Sequence, residues 1–290
     1  MDNDLFYSIP TPTEADWAEY ARIGFEPLFF EWYKFVISIL NVLSAIQPDS
    51  PNFHCTDPRH YYVLSGLLHR CVRLMFANVA LSGEGAFGET TSIVDRCICE
   101  TAIKIEWLCQ RDSSERIVGY LKYSLRPELE FSEEINAKIM ARGAQLPIES
   151  RMLKSIENHI GAAGVTREEI SGCKKLPDLA AMLADLGEQR LSYVIVQRMG
   201  SHHIHGTWPS LLTHYLSEME DFPGYRFSPR HNSVTMPVSQ YVYGCIFVLQ
   251  AAIAYSSFFL EAEDADSFSA LCADTLREII EHHHRALGAE

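Results

Sequence analysis

The chain has 290 residues, 47% apolar and 21% charged, with a formal net charge of −14 at neutral pH. That apolar fraction supports a large buried core and excludes global disorder. The acidic balance opposes phosphate backbones on average, so any nucleic-acid chemistry requires a local basic site.

Helix signals follow one another along the chain. Glu26 to Gln47 is rich in Phe, Leu, Ile and Trp, and Pro48 stops it. Asp57-Pro58 supplies an N-cap and a first-turn proline, opening a helix to about Leu81 that Ser82-Gly83 ends. A third helix spans Thr91 to Gln110, and Asp112-Ser-Ser-Glu115 starts the next, which runs through to Arg126-Pro127. Amphipathic helices at 128–142 and 147–160 precede a capping box, Thr166-x-x-Glu169. Pro177-Asp178 opens a helix that ends near Gly187, and Glu188 to Arg198 continues helically into Gly200 and a histidine-rich turn. Trp208 to about Met219 reads as helix, 221–237 with Pro223, Gly224, Pro229 and Pro237 as loop, and 238–261 and 266–287 as the last two helices.

The expected fold is therefore all-α: a multi-helix bundle with strand content near zero and one domain over 1–290. The polar stretch 128–187 is either an inserted helical subregion or a set of surface helices. Ser239 to Leu260 carries no formal charge and is long enough to cross a bilayer. Gln250, Ser256 and Ser257 interrupt it and acidic residues follow it, which predicts a long buried core helix and no membrane partner. Eight cysteines without a CxxC pair, behind the acidic start Met1-Asp2-Asn3-Asp4, predict reduced thiols and a cytoplasmic location.

Two polar clusters stand out. Arg96 and Glu100, four apart, share a helix face beside the apolar stripe Val94, Ile98, Thr101, Ile105 and Leu108. They read as an ion pair at a helix seam or as members of an interior polar site. Gln197 to Thr207 gathers Arg198, His202, His203 and His205, bracketed by Gly200 and Gly206, which would let backbone approach a ligand. Histidines exchange protons near neutral pH, and arginine clamps an anion. One histidine as base, another as acid and Arg198 against the phosphorane would supply what phosphodiester cleavage needs. The same turn also reads as a polar interhelical connection. It reads, too, as half a metal site, with His202 and His205 joined by Glu100, His203 or His214. The two clusters are expected to converge in one interior cleft. Tyr120, Tyr123 and Tyr193 would add hydroxyls or pack. His282-His283-His284 reads as charge near a helix C-terminus. No Gly-rich phosphate loop, GxSxG or HExxH occurs, so no cofactor is expected.

Arg96-x-x-x-Glu100 on an apolar helix, with Ser201-x-x-x-His205-Gly206 later, resembles an uncharacterised family of helical bacterial proteins over roughly residues 60–260. That resemblance implies an all-α fold. Arg198 is followed by His203 after four residues and by His205 after six, which resembles the Arg-to-His motif of the HEPN superfamily. Met199 stands where those enzymes often carry a polar residue. The HEPN resemblance implies a metal-independent ribonuclease of phage defence or a toxin–antitoxin system, with RNA as substrate and a homodimer as the working form. The reading set against it is a non-catalytic helical interaction or sensor subunit that binds a protein partner.

Overall fold

The computed structural model describes residues 7–82, 87–219, 226–230 and 236–289, with Arg198, Met199 and Ala289 described by their backbone alone. Met1 to Asp4, Gly83, Pro223 and Gly224, used in the expectations above, lie outside the described residues.

The protein is an all-α bundle. In chain order the helices are α1 (Glu14–Ile23), α2 (Glu26–Ser44), α3 (Pro58–Ser82), α4 (Gly88–Cys109), α5 (Ser113–Ser124), α6 (Arg126–Arg142), α7 (Pro147–Ala163), α8 (Arg167–Ser171), α9 (Leu179–Asp185), α10 (Arg190–Ile204) and α11 (Trp208–His214). A hairpin of β1 (Leu216–Glu218) and β2 (Phe227–Pro229) precedes α12 (Val238–Phe259) and α13 (Ala262–Ala289). Several helix starts follow directly from side-chain chemistry: Thr166 accepts from the Glu169 amide, and Asp178 accepts from the Ala181 amide. Arg126-Pro127, expected to end a helix, opens α6 instead, because the fixed φ of proline suits a first turn.

The helix expected to reach Met219 stops at His214. Phe227 folds its ring edge-on to Trp208 at 5.5 Å, and the Arg230 amide donates to the Tyr215 carbonyl at 2.7 Å. These contacts compete with further helix, and the chain turns into an antiparallel pair with Ser217 opposite Ser228.

α12 is buried along much of its length and packs on α2, α4 and α13. Gly244 permits the close approach to α2, where an added Cβ would come within 3.2 Å of the Tyr33 ring. By length and composition, α12 and α3 are the two described helices long and apolar enough to cross a membrane; 56% of the apolar window of α12 is buried within the protein. All eight cysteines are free, and Cys71, Cys99, Cys245 and Cys272 are buried as small apolar side chains. In the polar middle, Leu129, Ile135, Ile156, Ile160 and Ile170 of α6, α7 and α8 form a second, smaller buried cluster. Leu121 of α5 packs against both clusters.

The first and last described helices are clasped together. Arg285 of α13 stacks on Trp17 of α1 and pairs with Glu14, while His282 accepts from the Trp32 indole at 2.8 Å. Burial holds the His282 imidazole below its usual range, so it sits neutral as an acceptor. His282 is therefore a packing residue, not a charge serving the helix end.

One carboxyl lies inside the core. Asp95 of α4 is fully buried and accepts from Asn78 of α3 at 2.6 Å, beside Tyr33. Burial drives this carboxyl well above the usual carboxylate range, and the Asn78 hydrogen bond opposes it. The folded protein thus keeps a proton that the unfolded chain releases above about pH 4. Stability should fall as pH rises from there, by up to about 1.4 kcal/mol per pH unit for this one proton. Denaturant unfolding of wild type and Asp95→Asn between pH 5 and 8 tests this: the difference between them should grow with pH in favour of the variant. Parallel curves would contradict a protonated Asp95.

Candidate functional site

The site lies along the seam where α4 and α10 pack against each other. On α4, residues 89, 96, 100 and 104 fall on one face at helical spacing, giving the stripe Glu89, Arg96, Glu100 and Lys104. Gly200 of α10 rests directly on Arg96: an added Cβ would overlap the Arg96 Cβ and lie 2.8 Å from its Cδ. The glycine expected to admit a ligand therefore admits a neighbouring helix. Helix propensity alone favours alanine at 200 by about 1 kcal/mol, but the contact is with the root of the arginine and cannot swing away. Gly200→Ala should be net destabilising by about 1–3 kcal/mol. An unchanged or raised thermal midpoint would show that the seam has room.

The expected histidine turn is mostly helix. α10 continues through His202 and His203 to Ile204, His205 is its C-cap, and the turn falls at Gly206, left-handed at φ 54°. The histidines consequently diverge. By helical spacing, position 203 lies about 140° around the axis from 198, whereas 202 lies about 40° from it. The Arg198 side chain is outside the described residues. His205 is exposed, and His202 approaches Thr207 Oγ1 at 2.8 Å.

His203 meets residues that sequence spacing did not join to it. Ser210 of α11, fully buried, donates to Glu89 Oε1 at 2.5 Å, and the Tyr215 hydroxyl donates to Glu89 Oε2. His203 Nδ1 lies 3.2 Å from Ser210 Oγ. With the serine hydrogen committed to the carboxylate, Oγ can only accept, so His203 carries its proton on Nδ1 and leaves Nε2 with a free lone pair. The His214 ring stands edge-on to His203 at 4.9 Å. Burial first, and the His214 charge second, hold the His203 imidazole below its usual range; burial does the same for His214. Both are neutral at pH 7. Glu89 stays ionised, its carboxyl held below the usual range because the Ser210 and Tyr215 hydroxyls together outweigh the burial that raises it. Trp208, at the start of the same α11, is 54% exposed.

Arg96 and Glu100 occupy a different part of the seam. Arg96 Nε donates to Glu100 Oε1 at 2.8 Å, and both are half-buried in the wall of a cleft of about 600 Å³ between α4, α5, α10 and the segment before α9. Gln197 and Tyr193 of α10 reach this cleft, but no histidine lines it. The two clusters share one seam, with Gly200 between them, rather than one cleft. Among the described residues, no group of three or more His, Cys, Asp and Glu side chains is placed to hold a metal.

The model of a family of unknown function (DUF5677) matches residues 61–223, more than half of the chain. The chain belongs to this family. No curated protein and no solved structure matches it. The DUF5677 span includes both walls of the seam, from Glu89 through His203, Ser210, His214 and Tyr215, and the Arg96 cleft. It stops before α12, so the helix that fills the core lies beyond the family match.

Proposed function

We propose that the chain is a metal-independent endoribonuclease acting at the end of α10. The observation that carries this reading is the relay Glu89–Ser210–His203. A carboxylate orients a serine, the serine fixes the histidine tautomer, and a basic Nε2 remains for a substrate proton. His203 removes the proton of a ribose 2′-hydroxyl, which attacks the adjoining phosphorus and expels the 5′-oxygen. His205, exposed at the cap, returns a proton to that oxygen, and Arg198, whose position lies on another face of α10, stabilises the pentacoordinate phosphate from the second protomer, as the HEPN resemblance implies for a homodimer. The protein then works in the cytoplasm as a homodimer within a bacterial defence or toxin–antitoxin system, with α12 as core and not as a bilayer span.

The experiment is cleavage of single-stranded RNA by wild type, with and without EDTA, followed by end-group analysis. Cleavage should survive chelation and leave 2′,3′-cyclic phosphate ends. Abolition by EDTA, or 5′-phosphate products, would defeat the mechanism. A second reading, a ligand-sensing or interaction subunit without catalysis, is favoured by the separate Arg96 cleft, which holds no proton-transfer pair. Complete absence of cleavage, with partner association altered by cleft variants, would select it.

A further inference from the structure

We propose that the cleft between α4, α5 and α10 is a binding site for a nucleoside phosphate. This does not rest on the ribonuclease reading, because the cleft and the His203 relay share no residue.

The volume of about 600 Å³ falls within the usual range for small-ligand sites, roughly 300–1,000 Å³. Three cations face it: Arg96 and Lys104 from α4, and Lys175 from the segment before α9. Two carboxylates, Glu100 and Asp178, line the cleft beside them. Glu100 accepts from Arg96 Nε, and Asp178 accepts from the Ala181 amide. Lys104 and Lys175 form no ion pair among the described residues, and Arg96 Nη1 is buried there without an acceptor. In a chain of net charge −14, three cations against two carboxylates give this cleft a net positive lining. Phosphate oxygens satisfy guanidinium and ammonium donors at once.

The cleft also has aromatic lining. Tyr120 and Tyr123 of α5 and Tyr193 of α10 line the cleft, each half-buried, and none of their hydroxyls has a hydrogen-bond partner among the described residues. Tyrosine faces stack on planar bases, and their hydroxyls take ribose or base-edge hydrogen bonds. Gln197, exposed at the rim, adds an amide that can donate and accept. A lining that carries both cations and tyrosine rings suits a ligand that has both a phosphate and an aromatic ring.

Isothermal titration calorimetry of the full chain in EDTA tests this with AMP, ADP and ATP. Adenosine and inorganic phosphate serve as the two half-ligands. At least one nucleotide should bind, and each half-ligand should bind at least tenfold more weakly. Lys175→Glu, at an exposed position that leaves the core untouched, should weaken binding tenfold or more, and Tyr123→Ala should weaken it severalfold. Lys174→Glu, next door but outside the cleft, and His203→Ala, in the relay, should both bind as wild type. The proposal is overturned if no nucleotide binds at millimolar concentration, or if Lys175→Glu binds undiminished. It is equally overturned if a single-stranded RNA oligomer alone binds and Lys175→Glu abolishes that binding, which would place a polymer in the cleft.

Discussion

Replacing Phe259 by alanine should destabilise the protein by about 3–5 kcal/mol and lower its thermal midpoint by on the order of 10 °C. Phe259, at the end of α12, is fully buried. Its ring stacks on Phe53 at 5.1 Å and meets Tyr255 and Phe258 at 4.9 Å each. Its carbonyl also accepts from the His54 amide at 2.7 Å, tying the loop between α2 and α3 to α12. Truncation leaves a cavity that rigid neighbouring rings cannot collapse into, so the cost belongs at the high end for a core substitution. Phe247→Ala, on the same helix and slightly less buried, should cost somewhat less. Chemical denaturation gives the measurement, and a loss below about 1 kcal/mol would mean that α12 is not the centre of the core.

The second large effect concerns the relay. On the proposed mechanism, His203→Ala should lower kcat for RNA cleavage by about 10²–10⁴-fold, the usual contribution of a positioned general base. Because burial holds the His203 imidazole below its usual range, the acid limb of kcat/KM should lie below pH 6.5. The base is active above that limb and lost as pH falls through it. In the proposed mechanism Glu89 acts through Ser210, as a positioning residue. Its charge raises the His203 pKa, so Glu89→Gln should carry the acid limb to still lower pH while keeping an acceptor for the serine. A purely structural role for Glu89 would lower the rate without moving the limb. A rate unaffected by His203→Ala would remove the relay from the mechanism.

The fold was legible because its signals are local. Proline and glycine punctuation, capping boxes and 3.6-residue periodicity placed α3, α7, α8 and α12 close to where they lie. The hairpin was missed because it depends on Phe227 returning to Trp208 and on a backbone bond from Arg230 to Tyr215, neither of which leaves a periodic trace. At the site, the four-residue spacing of Arg96 and Glu100 did reveal their ion pair and their place at a helix seam. Adjacency misled for the histidines: 202, 203 and 205 are neighbours in sequence but lie on different faces of α10. The partners of His203 come from 114 residues earlier, through Glu89, and from the next helix, through Ser210. One signal was available, since Glu89 falls seven residues before Arg96 on the same α4 face. Asp95 was passed over because a lone aspartate in an apolar helix looks like a surface position until Asn78 and Tyr33 close around it.

The clasp between α1 and α13 also sets an order of events during synthesis. The Trp32 indole finds its acceptor, His282, 250 positions later in the chain. At about 5–20 residues per second, that partner emerges roughly 12–50 s after the tryptophan. Over that interval α3 and then α12 cover the apolar face of α2, but the Trp32 indole N–H still lacks its acceptor. Chains halted before residue 282 should therefore lack the clasp and be less stable than the full chain, whereas the α6–α8 cluster, whose contacts are local, can close while translation continues.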